Sequence, residues 1–120
     1  MNISVVGPNK NIVYVQSEDV VITDVQSALD LMATVNYKAD CSRIIIDKAS
    51  VIEDFFKLST CIAGDILQKF STYRVKMAIV GDYSGYTSKP LKDFIYESNN
   101  GKDIFFVASF DEAVERLSCA

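Results

Sequence analysis

The chain contains no histidine among its 120 residues. That absence removes Ser-His-Asp and Cys-His nucleophile–base pairs, phosphorelay through histidine, and nearly all imidazole-ligated metal sites. Catalysis would have to run on carboxylates, lysine, tyrosine, serine or cysteine alone. Cysteine is scarce as well. Cys41, Cys61 and Cys119 are odd in number, far apart and without C-x-x-C spacing, which suits neither a disulfide scaffold nor a zinc site. Cys61 falls in an apolar helical pattern, where it reads as a small buried residue. No apolar run approaches the roughly 18–20 residues of a membrane span. The opening Met1-Asn2-Ile3-Ser4 lacks the charged-then-apolar pattern of a signal peptide, so the expected location is cytoplasmic. No segment concentrates Lys or Arg, and the net charge is −4 with a pI near 4.7. A phosphate-neutralising basic footprint is therefore missing, which argues against nucleic acid as the partner. Also missing are the phosphate loop Gly-Lys-Ser/Thr, the dinucleotide G-x-G-x-x-G and the hydrolase elbow G-x-S-x-G. The expectation is no cofactor, no metal, no nucleic acid and no membrane.

What is present is apolar residue content, 49% with a mean hydropathy of +0.15, high for a chain of this size. The length suits one domain over residues 1–120, and the apolar excess predicts closure against a partner, most simply a second copy in a homodimer. Three short runs, Arg43–Asp47, Val75–Val80 and Ile104–Val107, are continuously apolar. A strand buried on both faces reads that way, whereas a half-buried strand alternates. Strands of this kind separated by helices form βαβ crossovers and a parallel sheet.

Ile3–Val6 and Ile12–Gln16 flank the turn-rich Gly7-Pro8-Asn9-Lys10-Asn11 and predict an opening β-hairpin, with Val20–Ile22 a third extended piece. Thr23 and Gln26 have capping-box spacing ahead of a helix carrying Val25, Leu29, Met32 and Val35. A long helical pattern follows Asp54, with Phe55, Leu58, Ile62, Ile66 and Phe70 three or four apart. On a helix Phe55 and Phe56 diverge by about 100°, so one of them is expected at a periphery or subunit contact. A strand Arg74–Val80, a loop Gly81–Ser88 and a helix marked by Leu91, Phe94 and Ile95 come next. Asn99-Asn100-Gly101 suits a left-handed helix stop. Ser109 and Glu112 open a last helix. The fold class is thus α/β: an N-terminal β-hairpin and helix followed by βαβαβα, a mixed, mostly parallel sheet with helices packed on it.

In open α/β sheets ligands bind beyond the carboxyl ends of the strands. There the candidate ligand-binding residues are Asp47, Lys48, Gly81, Asp82, Tyr83, Ser84 and Ser88, with Ser88 also suited to capping the next helix. Asp47 and Asp82 fall at neighbouring strand ends and face one another in this reading. Acidic strand ends commonly cap the following helix, and Gly81-x-x-x-Gly85 by itself reads as an ordinary turn-forming loop. No residue is assigned a catalytic role. Tyr73, Tyr83, Tyr86 and Tyr96 lie near helix ends and loops, as surface cover or a partner face.

The order of elements resembles the STAS fold of anti-sigma-factor antagonists. The stretches Phe55-Phe56, Ala63-Gly64-Asp65-Ile66-Leu67-Gln68-Lys69-Phe70, Ala78-Ile79-Val80-Gly81-Asp82 and Asp93-Phe94-Ile95-Tyr96-Glu97-Ser98-Asn99 resemble a widespread bacterial family, domain of unknown function 4180, which has no assigned reaction. STAS proteins carry a regulatory serine in Asp-Ser-Ser/Thr-Gly at the start of a helix. The nearest match is Leu58-Ser59-Thr60-Cys61, which places Ser59 at the phosphorylated position, with Leu58 in place of Asp and Cys61 in place of Gly. The resemblance implies a non-enzymatic domain acting through protein contacts or self-association. The competing expectation is a binder of an anionic ligand or nucleotide, or a weak enzyme, using the strand-end cluster.

Overall fold

The computed structural model describes residues 1–120. The strands are β1 (Asn2–Val6), β2 (Ile12–Gln16), β3 (Arg43–Asp47), β4 (Lys76–Val80) and β5 (Ile104–Val107); the helices are α1 (Val25–Ala39), α2 (Ile62–Tyr73), α3 (Lys89–Asn99) and α4 (Phe110–Cys119). They form one five-stranded sheet in the order β1-β2-β3-β4-β5. β1 runs antiparallel to β2, and every later neighbour is parallel. This is the expected hairpin and mixed, mostly parallel α/β sheet.

Each crossover steps one strand along the sheet in the same direction. Right-handed crossovers then deliver α1, α2 and α3 to one common face. Their buried residues, including Leu31, Val35, Ile66, Phe70 and Leu91, pack with Val13, Val15, Ile44, Ile46, Met77, Ile79, Ile104 and Phe106. The alternate sheet residues Ile12, Ile45, Ala78, Phe105 and Val107 face the other way, where Ala113 and Leu117 of α4 cover them. Both faces are therefore dry, which is why β3, β4 and β5 read as unbroken apolar runs.

Several local readings need correction. The N-cap of α1 is Asp24, one residue later than Thr23. Its side chain accepts from Ser27 N–H at 2.8 Å, and Ser27 Oγ accepts from Asp24 N–H at 3.0 Å. Val20–Ile22 contributes only a single bridge, Ile22 to Val51. Arg74 is not in β4 but is the left-handed cap of α2, with φ 57°. The long helix expected from Phe55 is instead two 3-10 turns (Glu53–Phe56, Leu58–Thr60) and then α2, with a further 3-10 turn, Lys48–Ser50, directly after β3. Apolar spacing of three or four persists through such turns, so periodicity alone could not separate the two. The break is Cys61, left-handed at φ 63° and exposed, not a buried helical residue. Because Phe55 and Phe56 sit on a 3-10 turn, both are buried, at 1% and 4% exposure, and neither marks a periphery.

The end of α3 does something the sequence reading missed. Asn100 caps it at φ −89°, so no left-handed stop is used. Asn99 instead turns its side-chain amide onto the outer edge of β5. Its Oδ1 accepts from Phe106 N–H at 2.7 Å and its Nδ2 donates to Phe106 C=O at 3.2 Å. The Arg116 guanidinium donates to Asn99 C=O and lies 4.7 Å from the Phe105 ring centroid. A single amide thus stands in for a neighbouring strand. Asn99→Ala strands one donor and one acceptor, so urea titration should show a loss of about 1–3 kcal/mol. Asn99→Asp should not restore it, because a carboxylate cannot donate to Phe106 C=O; full stability in either variant would refute the clasp.

Candidate functional site

The parallel register places the C-terminal ends of β3, β4 and β5 on one rim, with Asp47 opposite Val80 and Val80 opposite Val107. The rim residues do not form one cluster, however. Asp47 ends β3 and Lys48 opens the 3-10 turn that follows, and their side chains lie on opposite faces of the sheet. Asp47 belongs to the α4 face. Both its carboxylate oxygens accept from the Tyr14 hydroxyl at 3.0 Å, and the Tyr14 ring lies 5.0 Å from Phe110. Burial, reinforced by the hydrogen bond to Asp47 and its charge, raises the Tyr14 pKa.

Lys48 goes to the other face. Its ammonium lies 4.9 Å from the Phe56 ring centroid and 5.0 Å from that of Tyr86, two rings stacked at 5.3 Å. Glu53 joins the group at both oxygens: Oε2 is 3.5 Å from Lys48 Nζ, and Oε1 accepts from the Tyr86 hydroxyl at 2.8 Å. Burial alone would lower the Lys48 pKa; the Tyr86 hydroxyl and the Glu53 carboxylate outweigh it and leave it raised. The Lys48 stem packs on Gly81, where an added Cβ would sit 2.5 Å from Lys48 Cβ. Glycine is required at 81 for space.

The Gly81–Ser88 loop follows from this contact. Asp82 Oδ1 accepts from Ser84 N–H at 2.9 Å; the Ser84 hydroxyl first, then that N–H and the Lys48 charge, lower the Asp82 pKa. Asp82 is thus tied to Ser84, while Asp47 is tied to Tyr14: the two acids share a rim but not a site. Tyr83 turns inward. Its hydroxyl donates to Ile79 C=O at 2.5 Å, its ring meets Phe106 edge-on at 5.6 Å, and burial pushes its pKa well up. Ser88 caps α3, accepting from Leu91 N–H at 3.4 Å. Every shifted group in the chain, Cys41 and Lys89 included, moves away from neutrality. None is tuned toward the pKa that general acid–base work at neutral pH favours.

Beside this cluster lies an open groove of about 610 Å3, bounded by Glu53, Phe56, Ser59, Tyr86, Ser88 and Leu91 among others. Ser59 and Ser88 thus share one wall-to-wall space, and both are exposed. Ser59 occupies the 3-10 turn just ahead of α2, where Thr60 Oγ1 donates to Asp54 C=O and Lys57 C=O at 2.8 Å. The sequence reading missed Glu53 and Phe56 as rim residues. The available signal was the Phe55-Phe56 pair, which a single-faced helix could not bury. No three His, Cys, Asp or Glu side chains converge on a position for a metal ion, and no helix is long and apolar enough to cross a membrane.

The chain belongs to a protein family described as "Domain of unknown function (DUF4180)", whose profile matches residues 8–117. No curated protein and no solved structure matches it.

Two outcomes follow from this geometry. Gly81→Ala forces the Lys48 stem out of its aromatic seat and should cost about 1–3 kcal/mol in urea titration, as overpacked sites do; a neutral result would refute the contact. The second concerns pH. A tyrosine with a raised folded pKa contributes stability that is complete below its ordinary value of 10.0 and is lost as pH rises through the folded value. Lys48, raised above 10.5, acts in the same direction. Stability should therefore fall above pH 10.0, and Tyr83→Phe should flatten that fall by up to about 1.4 kcal/mol per pH unit. Equal slopes in the two proteins would show that Tyr83 is not held protonated by the fold.

Proposed function

We propose that this family member works through protein contacts, self-association foremost, and not by catalysis. The observation that carries the reading is that three lysines around the rim each face a carboxylate. Lys48 lies 3.5 Å from Glu53, Lys57 3.4 Å from Asp54 and Lys89 2.8 Å from Asp93. An incoming anion would have to displace an internal one, and no side chain there is shifted toward a proton-transfer role. The likeness to anti-sigma-factor antagonists fits: an opening hairpin, a parallel sheet and an exposed serine, Ser59, just upstream of α2. A cytoplasmic bacterial STAS-like domain spanning residues 1–120 and signalling by contact, with Ser59 its regulatory position, is the fuller form of this proposal.

A second reading keeps the groove for a nucleotide or sugar phosphate. Its volume lies in the range of small-ligand sites, and Ser59, Thr87 and Ser88 line it with hydroxyls. Light scattering across a concentration series, with a thermal-shift panel of nucleotides, sugar phosphates and inorganic phosphate, separates the two. The expected result is concentration-dependent self-association and no ligand-induced rise in Tm. A monomer at every concentration that one of these ligands stabilises would reverse the conclusion.

A further inference from the structure

The sheet has two outer edges, and they are treated differently. The β5 edge is closed by Asn99 and the α3–α4 contact around it. The β1 edge is open: no side chain and no further backbone segment hydrogen-bonds to Asn2–Val6 beyond β2. None of the usual protections of a free edge is present. Asn2-Ile3-Ser4-Val5-Val6 has no charge and no proline, and its pairing with β2 runs from Asn2–Gln16 to Val6–Ile12 without a bulge. Val5 is 49% exposed.

From this edge we infer that β1 pairs antiparallel with β1 of a second copy, on a two-fold axis at Ser4, so that one sheet runs through both chains. Three features favour a second copy over a foreign strand. The sequence is self-complementary: pairing about Ser4 sets Ile3 opposite the partner's Val5, twice, on the face where Ile3 already packs against the larger core. The strand contains no charge to repel its own image. The charges beyond its ends are complementary in this orientation alone. Lys10 lies in the turn that follows Gly7, while Glu18 and Asp19 lie beside Met1 and Asn2 at the opposite end. Antiparallel pairing brings the lysine end of each copy to the acidic end of the other; parallel pairing would set like against like. The inference rests on the self-association reading and gives it a surface.

Cysteine cross-linking reads the register directly. In a background with Cys61→Ser and Cys119→Ser, Ser4→Cys places two thiols on the axis, with Cα atoms about 4.5–5.5 Å apart, within disulfide reach. Asn2→Cys sets its thiols about 13 Å apart and serves as the control. Mild oxidation should convert most of the Ser4→Cys protein to a covalent dimer and leave the Asn2→Cys protein monomeric. Val5→Lys, at an exposed position, should weaken the dimer at least tenfold in sedimentation without lowering the monomer's Tm. Equal cross-linking of both cysteine variants, or an unchanged dissociation constant for Val5→Lys, overturns edge pairing. A dimer that persists through both tests leaves self-association standing on another surface, such as the apolar groove at Leu29, Met32 and Tyr73. A wild-type chain that stays monomeric overturns self-association as well, and one whose capture of another protein is abolished by Val5→Lys assigns the edge to a foreign strand.

Discussion

Right-handed crossovers between successive neighbouring strands impose the layout on which everything else here depends. Because β2, β3, β4 and β5 are laid down in sheet order, each connecting helix must land on the same side. Three helices crowd that face and one, α4, is left for the other. α4 lies across the second face and seals it through Ala113 and Leu117, aided at the rim by the Phe110–Tyr14 ring pair at 5.0 Å. The same ordering brings the C-terminal ends of β3, β4 and β5 together on one rim and leaves the hairpin's first strand at the outer edge of the sheet, outside every helical crossover. Site and open edge are thus two consequences of one topological rule.

On the rim, the change from strand to 3-10 turn after Asp47 decides which residues can cooperate. Asp47 and Lys48 are neighbours in sequence and are separated by the sheet in space. Lys48 finds Glu53 and two aromatic rings; Asp47 finds Tyr14. Each contact is individually modest. An exposed ion pair contributes about 0–1 kcal/mol and a cation over an aromatic face about 0.5–2 kcal/mol. Their shared effect is to hold the Gly81–Ser88 loop against the Glu53–Phe56 turn above an aromatic cluster of buried Phe55, Phe56 and Phe106 with half-buried Tyr83. Lys48, Lys57 and Lys89 each have a carboxylate partner at the rim.

Sheet architecture was legible because double-sided burial writes itself as unbroken apolar runs: Arg43–Asp47 and Ile104–Val107 are β3 and β5 to the residue. The segment from Lys48 to Cys61 was not legible. Apolar spacing of three or four fits an α-helix and a series of 3-10 turns alike, and the left-handed Cys61 that ends the series is a residue type with no preference for that conformation. The candidate site was legible in part. Gly81, Asp82 and Lys48 come together as expected of strand ends, and Ser88 caps α3. Glu53 and Phe56 were missed because their place on the rim depends on those turns. Asn99 was noticed only as a helix stop, since a side-chain amide pairing with a strand seven residues away leaves no periodic trace.

Apolar content alone is a weak argument for a partner. In a sheet covered on one face, half of each strand is polar, and a composition of 49% hydrophobic residues would leave an excess to explain. Here both faces are covered, so Ile44, Ile45 and Ile46 are all fully buried in succession, and the core absorbs the excess within one copy. The case for a second copy therefore moves from composition to hydrogen bonding. Backbone N–H and C=O groups at an edge have partners only in water or in another strand. The fold supplies a substitute strand, Asn99, at β5 and none at β1. That difference between the two edges, and not the total of apolar residues, is what favours a second copy at β1.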